Sequence, residues 1–243
     1  MTTALVLSAG GMYAAWEVGV WKSLAPHIHL DLIVGASAGA LNGWAIAGGA
    51  TPEELVRVWL DQSLAAVRVF DAEPLRREAR ALVSRFQAQM PFGLTIVEAR
   101  KMRVRLVRES EVTWQHLTAT CSIPFLFPPV VIDGRSYVDG GLLGALPVWA
   151  AEEMGATRAI AVNCLQGLPF RMLRAVLRPR EPSGKCQVVT IQPSERLGSL
   201  RSALVWSRPT VERWISLGER DGKAALPLIA NTSVSPETPA GAD

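Results

Sequence analysis

Short apolar runs alternate with helix-length segments along most of the chain. Five of these runs have the length and composition of buried strands, at residues 4–7, 30–34, 102–107, 158–162 and 187–191. Strands that are separated by helical segments usually run parallel, because the connection crosses back over the sheet. Parallel sheets need a cover on both faces. The pattern therefore predicts an α/β fold with a mostly parallel central sheet between helices.

A β-hairpin interrupts this alternation. Its two short strands, at residues 130–132 and 135–138, flank the dipeptide Asp133-Gly134. That dipeptide supplies the positive φ angles that a two-residue hairpin turn requires. We therefore expect the chain to reverse direction at Asp133 and Gly134.

Two helices are predicted between residues 51 and 89. The first begins with a capping residue, Thr51, followed by a proline and two glutamates. The second collects its large apolar residues on one face and its arginines largely elsewhere, which is typical of a surface helix. Residues 170–180 repeat the mixture of apolar residues and arginines. A basic element that rests on a lipid surface therefore stays open as an alternative.

The composition is that of a globular domain. About half of the 243 residues are apolar and 19% are charged. We place a single domain at residues 1–230 and predict an unstructured tail at 231–243, which is rich in Ser, Thr, Pro and Gly. The net charge of +3 is small, and no basic run with interleaved aromatic residues is present. A nucleic-acid partner is therefore not expected.

The cysteines and the start of the chain indicate a compartment. Cys121, Cys164 and Cys186 are widely and irregularly spaced, unlike a disulfide framework or a metal clamp. The chain enters an apolar strand almost at once, without the basic region of a signal peptide, and charges interrupt the next apolar stretch. We expect a cytoplasmic protein, with peripheral contact with a membrane as the open alternative.

A candidate nucleophile lies in the sequence Gly35-Ala36-Ser37-Ala38-Gly39. It matches Gly-x-Ser-x-Gly, directly follows an apolar strand and precedes the helical stretch 40–47. This is the arrangement of a nucleophile elbow, in which a strained turn exposes the serine hydroxyl. A plain turn that packs a helix on a strand is the alternative. Gly35 and Gly39 fit both, because small residues permit close packing.

The serine needs a base, and the histidines are poorly placed to provide one. His27 and His29 precede the serine, and His116 lies in a predicted helix without a suitable acid before it. The chain order serine, acid, histidine is therefore not expected here. Asp139 is the better candidate, in an apolar setting followed by Gly140 and Gly141. Such a setting raises the pKa of a carboxyl group toward neutrality, as a base requires.

Asp133 is the rival acid, although its place at the start of a hairpin turn explains it by geometry alone. A turn role is the alternative for Asp139 as well.

A glycine-rich loop follows the first strand. Gly10, Gly11 and Met12 open a helix, so that their amides point into the positive helix end and can stabilise an anion. In acyl transfer that anion is the tetrahedral oxygen. A nucleotide-binding loop, with Asp31 on the ribose, is the weaker alternative, because neither glycine motif for nucleotides is complete.

Several of these motifs occur together in one order. The run 5–11 with Gly19, the elbow 35–39, the stretch 122–129, Asp133-Gly134 and Asp139-Gly140-Gly141 closely resemble the patatin-like phospholipase family. The resemblance spans roughly residues 4–163, and 218–226 is similar to the family's closing helix.

The resemblance implies a three-layer α/β/α fold and hydrolysis of lipid acyl esters without a metal or other cofactor. It implies a catalytic dyad of Ser37 and Asp139, and an oxyanion hole at Gly10, Gly11 and the amide of Met12.

The glycine loop departs from the family pattern. Ala9, Tyr13 and Ala14 replace a glycine, a basic residue and a second glycine, and Gly144-Ala145 stands where an asparagine is common. A catalytically weak lipid-binding or regulatory protein on the same fold is therefore the alternative to an enzyme. The motifs specify a lipid or ester as the partner, and they specify neither the individual lipid nor an oligomeric state.

Overall fold

A computed structural model describes residues 1–67, 70–165 and 180–232. Within them, eight strands join one sheet. The strands are β1 (Thr3–Leu7), β2 (Leu32–Ala36), β3 (Phe92–Glu98), β4 (Arg103–Arg108), β5 (Val130–Ile132), β6 (Arg135–Asp139), β7 (Arg158–Val162) and β8 (Gln187–Ile191). The α-helices are α1 (Ala14–Leu24), α2 (Ala38–Ala47), α3 (Pro52–Leu60), α4 (Glu73–Arg85), α5 (Trp114–Thr120), α6 (Val148–Glu153) and α7 (Arg208–Asn231).

The sheet confirms the predicted fold class. Strands β3, β2, β1, β7 and β8 are neighbours in that order, and every pair among them is parallel. The antiparallel pairs involve β4 and the hairpin β5–β6. The hairpin turns at Asp133 and Gly134 with φ angles of 49° and 73°, as the dipeptide predicts.

Alternate residues of β1 enter two separate cores. Leu5 and Leu7 pack in the larger core, which includes residues of α1, α2 and α7. Ala4 and Val6 pack in the smaller core, which α6 covers. Because side chains alternate across a strand, these two cores lie on opposite faces of the sheet. The helices therefore cover both faces, as expected.

The central strand β3 is absent from the sequence prediction. All seven of its residues are buried, but Gly93 and Thr95 interrupt the apolar run. Gly93 packs closely, since a Cβ atom there would lie 2.7 Å from the sulfur of Met154 and 2.8 Å from a methyl group of Leu106, so both side chains would have to move. The same close packing that buries the strand thus weakens its apolar signature.

Strand β3 also aligns two other strands end to end. Strand β4 pairs with residues 93–98, which overlaps the stretch that pairs with β2 and the stretch that pairs with β6. A strand has only two edges, so β4 occupies one edge while β2 and β6 share the other. Ala36 is opposite Thr95, and Asp139 is opposite Ile96. The ends of β2 and β6 therefore meet.

Helices α3 and α4 follow the prediction closely. Thr51 accepts a hydrogen bond from the amide of Glu54 at 3.2 Å, and the Glu54 carboxylate accepts one from the amide of Thr51 at 2.9 Å. The four arginines of α4 each lie within 4 Å of a carboxylate, in the pairs Arg76–Glu73, Arg77–Glu78, Arg80–Glu73 and Arg85–Glu54. This pairing favours the surface-helix interpretation of α4.

Several predicted boundaries change. Strand β2 begins at Leu32 and includes Gly35 and Ala36, two residues later than predicted. Helix α7 continues to Asn231, so this residue does not belong to a tail. The rest of the predicted tail, 233–243, and most of the basic stretch at 170–180 lie outside the described residues, and the single domain at 1–230 stays a prediction. Among the described helices, none combines the length and the apolar character needed to cross a membrane.

Candidate active site

Ser37 forms the sharp turn between β2 and α2. Its φ of 53° and ψ of −134° lie in a region that favours glycine. The Ser37 amide donates to Oγ1 of Thr120 at 2.9 Å, and this hydroxyl donates to the carbonyl of Thr95 at 2.8 Å. The strained turn is thereby held by α5 and β3. The strand, turn and helix of a nucleophile elbow are all present.

Asp139 accepts a hydrogen bond from the serine hydroxyl. Oγ of Ser37 donates to Oδ2 of Asp139 at 2.7 Å, and the amide of Gly141 donates to Oδ1 at 2.6 Å. The two side chains are 3% and 4% exposed. Because β2 and β6 meet at the same edge of β3, residues 102 positions apart in the chain become a buried hydrogen-bonded pair.

The motif glycines permit this close approach. A Cβ atom at Gly39 would lie 2.4 Å from the carbonyl oxygen of Ser8, and one at Gly140 would lie 2.0 Å from that of Thr95. Any larger residue would therefore push α2 away from β1, or the Asp139 turn away from β3. The other two predicted motif glycines, Gly35 and Gly141, would also bring a Cβ atom within 3 Å of a neighbour.

Burial makes Asp139 a suitable base. Desolvation raises its pKa to about 7, against the opposing effect of the hydrogen bonds from Ser37 and Gly141. The carboxyl group can therefore accept and return a proton near neutral pH. Burial, with the nearby Asp139, also raises the pKa of the Cys121 thiol, so this neighbour does not compete as a thiolate.

The glycine loop lies at the end of β1, beside the elbow. Gly11 has a φ of 55°, which suits a residue without a side chain. Within the described residues, the Gly10 and Gly11 amides donate to no other protein group. The Met12 amide instead donates to the carbonyl of Ala203 at 2.9 Å. Among residues 1–67, 70–165 and 180–232, two of the three predicted oxyanion donors thus have no protein acceptor, whereas the third, Met12, is already bonded.

The sequence also matches a known family model. Residues 5–109 and 103–152 match the model described as patatin-like phospholipase. The chain belongs to the patatin-like phospholipase family.

Curated relatives of this patatin-like chain are much longer proteins. It is 24% identical over 182 residues to mouse patatin-like phospholipase domain-containing protein 6, covering 67% of this chain and 13% of that protein. It is 28% identical over 182 residues to lysophospholipase NTE1 of Scheffersomyces stipitis, covering 65% of this chain and 11% of that protein. The chain therefore spans about an eighth of the length of such relatives.

A solved structure supports the patatin-like fold. The crystal structure of VipD from Legionella pneumophila is similar with a TM-score of 0.53 and 11% sequence identity. The match covers 93% of this chain and 67% of VipD. At this identity the likeness concerns the fold.

An apolar cavity opens beside the Ser37–Asp139 pair. Its volume is about 280 Å³, and both Ser37 and Gly11 line it. The rest of its wall is mostly apolar and comes from α2, α3, α4 and two loops, with Leu41, Trp59, Leu82, Phe86, Phe127 and Leu204 among the contributors. The sequence gives no placement for this wall, because its residues lie far apart along the chain.

A buried glutamate, Glu17, bonds to Ser8, which directly precedes the glycine loop. Oε1 of Glu17, on α1, accepts hydrogen bonds from the amide of Ser8 at 2.9 Å and from its hydroxyl at 3.0 Å. Nδ2 of Asn42 lies 3.3 Å from the other carboxyl oxygen. Burial raises the pKa of Glu17 to about 8, although the bonds from Ser8 and Asn42 oppose that rise. Sequence reasoning missed Glu17, because a single acid in an apolar helix carries no motif.

The rejected candidates lie elsewhere in the fold. His27, His29 and Asp31 line a cavity that also contains Thr3, at the amino end of β1, whereas the glycine loop follows its carboxyl end. Asp31 cannot therefore contact a ligand that binds at the glycine loop. His116 contacts Oγ1 of Thr113 through Nδ1 at 2.9 Å, at the start of α5.

Proposed function

We propose that this protein hydrolyses acyl esters of lipids through a covalent acyl-serine. The observation that carries the proposal is the buried contact of 2.7 Å between Ser37 Oγ and Asp139 Oδ2 at one end of an apolar cavity. Family membership and relatives named as phospholipases or lysophospholipases support the class of reaction.

The first step makes the acyl-enzyme. Oγ of Ser37 attacks the carbonyl carbon of the ester, and its proton passes to Oδ2 of Asp139. The amides of Gly10 and Gly11 stabilise the oxyanion, where loss of one such donor typically costs about 100-fold to 1000-fold in rate. The tetrahedral intermediate then expels the alcohol, which takes the proton from Asp139, and the acyl chain stays esterified to Ser37.

The second step releases the acid. A water molecule gives a proton to Asp139 while its oxygen attacks the acyl carbonyl carbon, and the same amides hold the second oxyanion. The bond between the acyl carbon and Oγ of Ser37 breaks, and Ser37 recovers its proton from Asp139. The products are a free acid and the restored dyad.

The apolar cavity supports a lipid substrate. Its wall leads directly to Ser37 and offers an acyl chain a desolvated surface, which is the main source of affinity for apolar ligands. Three charged residues, Asp61, Glu78 and Arg85, also line the wall. Arg85 pairs with Glu54 and Glu78 pairs with Arg77, so neither of these two forms an ion pair with Asp139. The substrate class that fits is therefore a fatty-acyl ester.

Mass spectrometry of the intact protein after a fluorophosphonate probe tests the proposal. We expect one adduct on the wild type, none on Ser37→Ala, and a much slower reaction on Asp139→Asn. Ser63→Ala is the matched control, because Ser63 lines the same cavity and lies outside the dyad. A folded wild type that forms no adduct would exclude the acyl-serine mechanism and favour a lipid-binding protein on the same fold.

A further inference from the structure

Two aromatic side chains are exposed next to the cavity. Phe125 is 94% exposed and lies between Ile123 and Phe127, both of which line the cavity. Phe70 is 78% exposed, and its amide donates to the carbonyl of Leu126 at 2.7 Å. The two phenylalanines therefore belong to adjoining backbone segments next to residues that line the cavity.

The backbone at both residues makes this exposure unusual. Phe125 has a φ of 67° and Phe70 a φ of 72°, in the left-handed region that favours glycine. An aromatic residue at such a position is strained, and in water it also leaves a large apolar surface exposed. Neither effect stabilises the isolated fold. A partner that covers the rings would account for both.

Two further exposed apolar side chains lie next to a second segment of the cavity wall. Leu200 is 56% exposed and Val205 is 52% exposed, and they flank Ala203 and Leu204, which line the cavity. Exposed apolar side chains around a binding cavity are typical of an interaction surface. Two segments of the cavity wall thus have exposed apolar neighbours, here called the aromatic rim (Phe70 and Phe125) and the aliphatic rim (Leu200 and Val205).

We propose that the two rims dock this protein on a lipid surface, with Phe125 inserted among the acyl chains. The proposal rests on the proposed function, because it names the surface from which that site takes its substrate. Long-chain acyl esters aggregate in water, so the entrance of the cavity must contact a bilayer or a micelle. Aromatic and aliphatic side chains are the groups that enter the boundary between head groups and acyl chains.

Vesicle binding by a hydrolysis-deficient protein tests the docking separately from the chemistry. Ser37→Ala protein would be sedimented with zwitterionic phosphatidylcholine vesicles, since the net charge of +3 would attract anionic ones in any case. Adding Phe125→Gly should weaken binding by on the order of tenfold, as expected for loss of one buried aromatic ring. The control Leu228→Ser changes a side chain that is 59% exposed near the end of α7, and binding should not change.

The glycine variant also separates docking from a structural role. Because glycine adopts the backbone conformation of residue 125 without strain, Phe125→Gly should melt at the same or a higher temperature than the parent. When Ser37 is retained, the single variant Phe125→Gly should hydrolyse a dissolved short-chain ester at the wild-type rate. It should hydrolyse an ester presented in vesicles more slowly. A lower melting temperature with unchanged vesicle binding would assign Phe125 to the fold and overturn the proposal.

The remaining outcomes distinguish the two proposals. If no fluorophosphonate adduct forms while vesicle binding still requires Phe125, the hydrolase proposal fails and the docking surface stands. If the adduct forms but the Ser37→Ala protein does not bind vesicles, the docking proposal fails and the hydrolase stands. The rims would then be assigned to a protein partner.

Discussion

At the scale of single residues, the site combines strain with burial. Ser37 holds a backbone conformation that favours glycine, and Asp139 is a carboxyl group that is only 4% exposed. Each feature costs stability in a folded protein, so each must be compensated by the surrounding contacts. The hydrogen bond from the Ser37 amide to Thr120, and those from Gly141 and the Ser37 hydroxyl to Asp139, provide part of that compensation. Both costs can be measured.

The strain at Ser37 predicts that glycine is more stable there than alanine. Both Ser37→Gly and Ser37→Ala remove the hydroxyl, so their difference isolates the backbone. We expect the free energy of unfolding of Ser37→Gly to exceed that of Ser37→Ala by about 1 kcal/mol, after allowance for the greater freedom of unfolded glycine. Urea unfolding measures the difference. At Ala38, which begins α2 with ordinary helical geometry, the change to glycine should have the opposite sign.

The raised pKa of Asp139 predicts the pH dependence of the rate. Only the ionised carboxylate can accept the proton of Ser37, so kcat/KM should fall as pH decreases through about 7. The profile would be recorded with an uncharged dissolved ester. A rate that stays constant from pH 8 to pH 5 would exclude Asp139 as the base.

The same pKa predicts that the folded protein becomes less stable as pH rises, whereas the rate increases. The folded pKa of about 7 exceeds the ordinary value of 3.8, so between these values the folded state binds the extra proton. Stability contributed by this group is therefore lost as pH rises toward 7, by at most about 4 kcal/mol. Asp139→Asn should raise the melting temperature at pH 8 and raise it less at pH 5. Equal shifts at both pH values would contradict a buried, titrating carboxyl group.

How far the site could be predicted depends on the range of the interactions involved. The elbow, the hairpin turn and the glycine loop are local, and their geometry follows from small residues that are near in sequence. The pairing of Ser37 with Asp139 was available through the resemblance, although not from spacing alone. The contacts of Glu17 and Ala203 were not predictable, because a single acid or alanine gains its role only from residues that the fold brings to it.

At the scale of elements, two segments decide the geometry of the site. Strand β3 aligns the ends of β2 and β6, and without it Ser37 and Asp139 would have no common edge. Residues 197–206 form the second segment, here called the strap. The carbonyl of Ala203 in the strap accepts a hydrogen bond from the Met12 amide. The side chain of Trp206 donates to the carbonyl of Trp59 at 2.9 Å. The strap thus closes one side of the glycine loop.

Tyr13 gives a reason for one departure from the family pattern. Its hydroxyl donates to the carbonyl of Ser199 in the strap at 2.5 Å, and its ring packs edge-to-face on Trp214 at 5.1 Å. A tyrosine at this position therefore anchors the strap. Burial raises the pKa of the phenol, which keeps it a donor.

Loss of the Tyr13 hydroxyl should loosen the strap. Tyr13→Phe retains the ring contact with Trp214 and removes one hydrogen bond, which is typically worth about 1 kcal/mol. We expect faster amide hydrogen exchange in residues 197–206, measured by mass spectrometry. The matched control is Tyr137→Phe, because Tyr137 is the other tyrosine of the chain and its hydroxyl contacts Arg105 instead. Equal exchange in the strap of both variants would show that Tyr13 is not its anchor.

At the scale of the whole molecule, α7 supports the site from the far end of the chain. Helix α7 packs on α1, which begins directly after the glycine loop. Nε1 of Trp16 donates to Asp221 at 2.7 Å, and Nζ of Lys22 lies 2.8 Å from a carboxylate oxygen of Glu219. The position of the glycine loop therefore depends on residues some 200 positions later.

The closeness of α1 and α7 predicts the sign of a glycine substitution. A Cβ atom at Gly218 would lie 2.0 Å from the carbonyl oxygen of Trp16, so Gly218→Ala should force the helices apart and destabilise the protein by about 1–3 kcal/mol. Helix propensity alone predicts a gain of about 1 kcal/mol for the same change, so the sign of the result decides between packing and propensity.

Gly144→Ala is the control for that measurement, because a Cβ atom there meets only ordinary contact with Trp149 at 3.7 Å. Its free energy of unfolding in urea should stay within about 0.5 kcal/mol of the wild type. If Gly218→Ala also destabilises as expected, a shift of α1 should also reach the active site, because α1 directly follows the glycine loop and carries Glu17. Slower fluorophosphonate labelling of folded Gly218→Ala, with normal labelling of Gly144→Ala, would show that the packing of α7 sets the position of the oxyanion donors.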